Sequence, residues 1–128
     1  MNQEKFVRPT ESEMEILQVI WEKGQASVRE VHEALLSHKD IGYTTTLKLM
    51  QIMFEKGLLE RDDSYRTHIY KPALTQERAQ KHMINKMITT LFSGSPADLV
   101  LQVLGNHKTS EEELKKIEDL LDQIKQHQ

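Results

Sequence analysis

Residues 41–72 decide the fold class, and they read IGYTTTLKLMQIMFEKGLLERDDSYRTHIYKP. The spacing of their apolar residues predicts a helix that stops at Gly57, followed by two short strands around the polar turn Asp62-Asp63-Ser64. A helix followed directly by a two-stranded ribbon is the DNA-contacting end of a winged helix-turn-helix. There the helix enters the major groove and the ribbon reaches the neighbouring phosphates. We therefore predict a mainly α protein with a small β-wing.

The predicted helix runs from about Tyr43 to Lys56 and has a mixed surface. Its best core face consists of four residues at helical spacing: Thr46, Leu49, Met50 and Met53. That phase turns a mainly polar set outward: Thr44, Thr45, Lys48 and Gln51. The strands are predicted at Leu58–Arg61 and His68–Lys71, and Pro72 ends the second because proline cannot donate a ladder hydrogen bond.

Two capping boxes predict the helices that precede this segment. Thr10 with Glu13, and Ser27 with Glu30, place a hydroxyl at a helix start and a carboxylate three residues later. Each side chain can then satisfy a free backbone N–H. The first helix ends at Gly24, because glycine readily adopts the left-handed C-terminal conformation. Apolar stripes at helical spacing complete both helices: Met14, Ile16, Leu17, Ile20 and Trp21 in the first, and Val28, Val31, Ala34 and Leu35 in the second.

The rest of the chain is predicted to be helical throughout. A threonine or serine cap begins each of three helices: Thr75, Ser95 and Ser110. Glu113 completes a third capping box at the last of these starts. We therefore divide the chain into a winged-helix DNA-binding domain over residues 8–73 and a C-terminal helical dimerisation extension over residues 74–128.

The C-terminal extension needs a partner surface, because three amphipathic helices make only a marginal core. The apolar residues of its last helix recur at alternating spacings of 3 and 4, which is typical of a coiled-coil seam. Packing against the same extension of a second chain predicts a homodimer, and an intrachain bundle in a monomer is the alternative. The residues expected at the dimer interface are Met83, Met87, Leu91, Leu101, Leu114, Ile117, Leu121 and Ile124.

Composition excludes several classes of function. The 128 residues include no cysteine, which excludes disulfides, zinc-thiolate sites and thiol nucleophiles. There is no glycine-rich phosphate loop, no GxSxG and no pair of histidines at helical spacing. We therefore expect neither an enzyme nor a metal or cofactor site. No apolar run approaches ~18 residues and no signal-sequence pattern opens the chain, so we expect a cytoplasmic protein with no direct membrane binding.

Charge is distributed unevenly along the chain. The formal net charge of −3 counts against strong non-specific binding to nucleic acid. Between Ile41 and Phe54, however, there is one base, Lys48, and no acid. The face predicted to meet DNA is therefore neutral to positive on an acidic protein, and modest affinity is expected.

Four segments together resemble the penicillinase-repressor family, the bacterial winged-helix regulators of penicillinase, methicillin-resistance and copper-transport genes. They are PTESEMEILQVIWEKG in the first helix, ASVREVHEAL in the second, YTTTLKLMQIMFEKGLL in the third and RTHIYKP in the wing. The YTT start followed by EKGLL is fairly specific, and the resemblance runs over nearly the whole chain. It implies a homodimeric repressor of dyad operators in double-stranded DNA, often relieved by cleavage downstream of a membrane sensor protease.

The chain departs from the family pattern in three places. The inactivating cut of the penicillin-responsive branch falls at an Asn-Phe pair, and the corresponding place here is Gln102-Val103 in LVLQVLG. The copper-responsive branch uses a cysteine-rich C-terminal motif, which this chain lacks, so copper sensing is not supported. Gln51 and Ile52 stand where relatives often have arginine, which removes a charged contact from the expected interface.

Seven residues are predicted to contact DNA. Threonine hydroxyls and methyls can meet base edges and thymine methyls, lysine reaches guanine acceptors or phosphate, and a wing arginine suits phosphate. Tyr43 either touches a phosphate through its phenolic hydroxyl or packs on the second helix. The set is Tyr43, Thr44, Thr45, Lys48, Gln51, Arg66 and His68.

Two other functions remain open from the residues alone. A winged-helix module that binds protein and has no DNA role would show no duplex binding even at low salt. A switch responsive to a small molecule or a metal would show a ligand-dependent shift in melting temperature. A DNA-binding repressor would instead show a steep salt dependence of duplex binding.

Overall fold

The computed structural model describes residues 7–128. Residues 1–6, part of the segment considered for a signal sequence, lie outside the described residues. The described chain contains six helices and one two-stranded antiparallel sheet, and its elements in order are α1 Glu11–Lys23, α2 Val28–Leu35, α3 Tyr43–Glu55, β1 Leu59–Asp62, β2 Ile69–Pro72, α4 Gln76–Leu91, α5 Pro96–Asn106 and α6 Glu111–Gln126. Two compact units are separated between Ile84 and Asn85, within α4.

The predicted starts of α1 and α2 are confirmed. The Thr10 hydroxyl accepts from the Glu13 N–H at 3.2 Å, and the Glu13 carboxylate accepts from the Thr10 N–H at 2.9 Å. Ser27 and Glu30 make the same reciprocal pair at 3.2 and 3.0 Å. Gly24 ends α1 with φ 87°, a conformation that a side chain would strain.

The core of the first unit lies between α1, α2, α3 and the sheet. Most of the apolar residues predicted for the three helices are buried here, whereas Met14, Trp21, Ala34 and Leu49 are only partly buried. The buried apolar residues of the core are Ile16, Leu17, Ile20, Ala26, Val28, Val31, Leu35, Met50, Met53, Leu58, Leu59, Tyr70, Leu74 and Ala79. Trp21 packs against this core, and its indole N–H donates to the Leu74 carbonyl at 2.8 Å. The segment that leads into α4 is thereby fastened to α1.

A partly buried ion pair joins the start of α1 to the C-cap of α3. The Glu13 side chain is 2% exposed, and its Oε2 lies 2.9 Å from Lys56 Nζ. Burial raises the pKa of Glu13, but the hydrogen bonds from Thr10 and the Lys56 charge outweigh it, so the pKa is lowered from its ordinary value. The carboxylate is therefore a charged part of the core that stays paired.

The wing is a hairpin whose strands lie one residue later than predicted at both ends. The pairs are Leu59 with Pro72, Glu60 with Lys71, Arg61 with Tyr70 and Asp62 with Ile69. The predicted strands, Leu58–Arg61 and His68–Lys71, are therefore wrong by one position. Pro72 belongs to β2 as its last residue, where its missing N–H costs no interior ladder bond.

A third segment extends the sheet and was not predicted. Ala26 and Tyr70 form an antiparallel bridge, with the Ala26 N–H donating at 3.0 Å and the Tyr70 N–H donating at 2.8 Å. The linker between α1 and α2 is thus bonded to β2. This bridge fixes the wing against the base of the helix-turn-helix.

The second unit contains the end of α4 together with α5 and α6. The Ser95 cap is found, with Ser95 Oγ accepting from the Asp98 N–H at 3.2 Å. Ser110 Oγ accepts from the Glu113 N–H at 3.1 Å, which is one of the two bonds of the predicted capping box. α4 ends where Ser93 adopts φ 50° and the Gly94 N–H donates to the Ile88 carbonyl at 2.9 Å. Within residues 7–128, no single helix is long and apolar enough to cross a membrane, and the bent pair of α4 and α5 passes that test by length and composition only.

Candidate nucleic-acid interface

The burial of α3 confirms its predicted phase. Thr46, Met50 and Met53 are each 0% exposed, and Leu49 is half-buried. Because side chains three and four residues apart share one face of a helix, the opposite face is free of the core. That exposed face holds the predicted polar set: Thr44, Thr45, Lys48 and Gln51.

The start of α3 presents unpaired backbone donors. Gly42 is the N-cap and offers no side-chain acceptor, and the first turn contains no acidic residue. Thr46 does not cap the helix, because its hydroxyl donates to the Gly42 carbonyl at 3.3 Å. The free N–H groups and the positive end of the helix dipole therefore favour a negative group at this end.

A groove of about 280 Å³ separates α3 from the wing. Its lining residues come from α3, from β2 and its preceding turn, and from the start of α2: Val28, Tyr43, Leu47, Gln51, Arg66, Thr67, His68 and Tyr70. Four of the seven residues predicted to contact DNA therefore meet here: Tyr43, Gln51, Arg66 and His68. The other three are exposed on α3 outside the groove.

Arg61 connects the wing to α3 and was missed by the sequence analysis. Its guanidinium carbon lies 4.3 Å from the centroid of the Phe54 ring, a cation–π contact. Its Nε lies 2.7 Å from Asp63 Oδ1, although the geometry is too poor for a hydrogen bond. Tyr70 and then Asp63 raise the pKa of Arg61, so the guanidinium stays charged. Its placement depends on the register in which β1 pairs with β2, which no local sequence signal shows.

The tip of the wing is ordered by an aspartate turn. Asp62 Oδ1 accepts from the Ser64 N–H at 2.9 Å, and the Ser64 hydrogen bonds lower the pKa of Asp62. Tyr65 and Arg66 follow on the exposed tip, with Tyr65 64% exposed. His68 is exposed beside them, with its Nε2 3.6 Å from Asp63 Oδ1.

Two histidines of the first unit, His32 and His38, contact neighbouring protein atoms. His32 Nε2 lies 2.9 Å from the Ile41 carbonyl, and His38 Nε2 lies 3.8 Å from Glu15 Oε2. Among residues 7–128, no group of three or more histidine, aspartate or glutamate side chains is arranged to hold a metal ion.

Most of the residues predicted for the dimer interface are exposed apolar side chains of the second unit. Their exposed fractions are 70% for Leu91, 68% for Leu101, 48% for Leu121 and 48% for Ile124. Met87 and Leu114 are each 40% exposed, whereas Met83 and Ile117 are half-buried.

The predicted cleavage position lies inside α5. Gln102 and Val103 are exposed, but both are in helical conformation. Asn106 Nδ2 donates to the Gln102 carbonyl at 2.9 Å and to its side-chain oxygen at 2.7 Å. A protease that needs an extended substrate would have to unwind this turn first.

Comparison with known proteins gives one matching family. The family model described as penicillinase repressor matches residues 9–123. The penicillinase repressor of Staphylococcus aureus is 21% identical over 120 residues, which covers 94% of this chain and 95% of that protein. The methicillin resistance regulatory protein MecI of Staphylococcus aureus strain N315 is 25% identical over 111 residues, covering 86% and 89% of the two chains.

Two further similarities are more limited. Transcriptional regulator BlaI of Mycobacterium tuberculosis is 32% identical over 69 residues, which covers 53% of this chain and 50% of that protein. The solved structure of ZitR from Lactococcus lactis matches with a TM-score of 0.43 and 20% identity, over 98% of this chain and 80% of that one. A TM-score this low does not define a shared fold.

Proposed function

The chain belongs to the penicillinase repressor family, whose members are transcriptional repressors and not enzymes, and on that premise we propose that it represses transcription as a homodimer bound to a dyad operator. The supporting observation is the exposed polar face of α3, which lies beside the wing and is free of the core. Inserting this face into the major groove would bring the wing to the adjacent phosphates.

Each predicted contact has a distinct role in this proposal. Thr44, Thr45 and Lys48 reach base edges from the first two turns of α3, and Gln51 follows on the same face. Tyr43, Arg66 and His68 line the groove, and in this proposal they contact the phosphate backbone from its two walls. With few basic residues in the set, the affinity for DNA is expected to be modest.

The second part of the proposal assigns residues 8–73 to DNA binding and residues 74–128 to dimerisation. Exposed leucine and isoleucine side chains on α5 and α6 support it, because large apolar side chains exposed in such number favour an interaction surface. A symmetric dimer places two copies of α3 about one DNA turn, ~34 Å, or a multiple apart. The operator is then a palindrome, and the chain acts in the cytoplasm, where the DNA is.

Cleavage would relieve repression by separating the two DNA-binding domains. We place the cut at Gln102-Val103, made by or downstream of a membrane sensor protease, since losing bivalency sharply weakens binding. Incubating the homodimer with a sensor protease of the same cell, and analysing the fragments by mass spectrometry, tests this step. A cut elsewhere, or an intact chain, contradicts it.

Selection of bound DNA from a random duplex pool tests the whole proposal. We expect a palindromic sequence to be recovered, with an affinity that falls steeply as salt is raised. Recovery of a non-palindromic site would overturn the dyad operator while leaving DNA binding intact. No duplex binding even at low salt would overturn repression through DNA and favour a winged-helix module that binds protein.

A further inference from the structure

His32 is bonded to the turn that leads into α3. It lies on the last turn of α2 and is half-buried, and its Nε2 is 2.9 Å from the Ile41 carbonyl. A carbonyl oxygen can only accept a hydrogen bond, so the ring nitrogen must carry the proton. Toward α2, the His38 and Lys39 N–H groups donate to the Leu35 carbonyl at 3.2 and 3.1 Å, and at the start of α3 the Gly42 carbonyl accepts from the Thr46 N–H at 3.1 Å. The imidazole therefore holds Ile41, between these two sets of bonds.

The same ring also contacts the first residue of α3. The ring centroids of His32 and Tyr43 are 5.6 Å apart, and their planes meet at 86°, an edge-to-face pair. Tyr43 is 47% exposed and lines the groove opposite the wing. One side chain of α2 thus fixes both the backbone before α3 and the aromatic ring at its start.

From these two contacts we propose that His32 is a positioning residue for DNA binding. It holds the start of α3 and presents the Tyr43 ring toward the groove before DNA arrives, without touching DNA itself. Binding is tighter when the contacting groups are ordered in advance, because less conformational freedom is lost on association. The inference rests on the proposed function, since it needs α3 to be the DNA-binding helix.

Three variants separate the hydrogen bond from the rest of the side chain. His32→Leu fills similar space but has no donor, and we expect it to lower affinity for the selected duplex about fivefold, the size of one lost hydrogen bond. His32→Gln keeps a side-chain N–H of similar reach and should restore most of that loss. His38→Leu is the matched control and should bind like the wild type. His38 lies in the same connection, but its Nε2 faces Glu15 Oε2 at 3.8 Å and not the Tyr43 ring.

A double-mutant cycle tests the route through Tyr43. We expect His32→Leu to cost about fivefold in the wild type and much less in a Tyr43→Ala background, because the ring to be positioned is then gone. Equal losses in both backgrounds overturn the route through Tyr43. A salt slope reduced by about one in His32→Leu means that His32 itself contacts phosphate, which also overturns the positioning role.

A measurement on the wild-type protein covers the case in which a variant fails to fold. Nitrogen-15 NMR of the imidazole at neutral pH should show a proton on Nε2 of His32, and a proton on Nδ1 alone overturns the inference. The two proposals fail differently. A wild type that binds no duplex removes the proposed function and this inference with it, whereas a wild type that binds and a His32→Leu variant that binds equally well remove the inference alone.

Discussion

The two compact units differ in where their apolar side chains lie. In the first unit, Met50 and Met53 of α3 are 0% exposed and lie in a core formed within one chain. In the second unit, Leu91 is 70% exposed and Leu101 is 68% exposed. The first unit therefore buries its apolar side chains within one chain, whereas the second exposes apolar surface of the kind that favours association. The contrast is consistent with the proposal that residues 8–73 bind DNA and residues 74–128 dimerise, and variants in either unit can test it.

The largest expected effect comes from charging the seam of α6. Leu121→Asp places a carboxylate among the residues of the proposed dimer interface, and we expect dissociation into monomers. Operator affinity should then fall about 100-fold or more, because the second DNA contact is no longer linked to the first. Sedimentation velocity measures the first effect and a gel-shift titration the second. Gln123→Asp, which adds the same charge on the opposite face of α6, should leave both unchanged. A Leu121→Asp dimer with full affinity would contradict the assigned roles.

The next effect is a loss of core packing in the first unit. Met53→Ala should lower the free energy of unfolding by about 2–5 kcal/mol, since it removes a fully buried side chain and leaves a cavity. This loss should not depend on protein concentration. Leu121→Ala, in contrast, should cost more stability as the protein is diluted, because its contacts belong to the dimer. Urea unfolding at two protein concentrations measures both losses. If the two variants show the same dependence on protein concentration, the proposed difference between the units is wrong.

A smaller effect is expected at the exposed face of α3. Lys48→Ala should weaken operator binding by about 1–3 kcal/mol if the lysine reads a base, or lower the salt slope by about one if it contacts phosphate. Lys115→Ala, in the second unit, removes the same charge and should change neither quantity. Unchanged affinity in Lys48→Ala would show that another face of α3 meets the DNA.

The smallest effect concerns the acid stability of the first unit. The folded pKa of Glu13 is lowered, so its contribution to stability is complete above the ordinary value of 4.5 and is lost as pH falls through the folded pKa. Glu13→Gln should remove this contribution and flatten the stability profile over that range. Thermal unfolding from neutral to acid pH measures it. A profile in Glu13→Gln as steep as in the wild type would assign the acid sensitivity to other carboxylates.

Local chemistry explains which elements could be predicted from sequence. The caps at Thr10, Ser27 and Ser95 are contacts over three residues, and each is found where the pattern places it. The phase of α3 could be predicted because only one face offers Thr46, Met50 and Met53 together. Interactions of short range along the chain are therefore readable before any fold is known.

Long-range contacts explain what was missed. The Ala26–Tyr70 bridge and the contact of Arg61 with Phe54 join segments whose meeting depends on the finished fold. The strands were placed one residue early because register depends on pairing, and alternation in four-residue strands constrains it weakly. The hydrogen bond from His32 to the Ile41 carbonyl joins residues nine apart, a spacing that no helix, cap or turn pattern predicts.

The hydrogen bond from the Trp21 indole to the Leu74 carbonyl has a practical consequence. Trp21 is the sole tryptophan of the chain, and its indole contacts the segment between β2 and α4. Intrinsic tryptophan fluorescence can therefore report on the environment of that segment without a label. Recording the Trp21 emission while operator DNA is added would show whether DNA binding changes the environment at the start of α4.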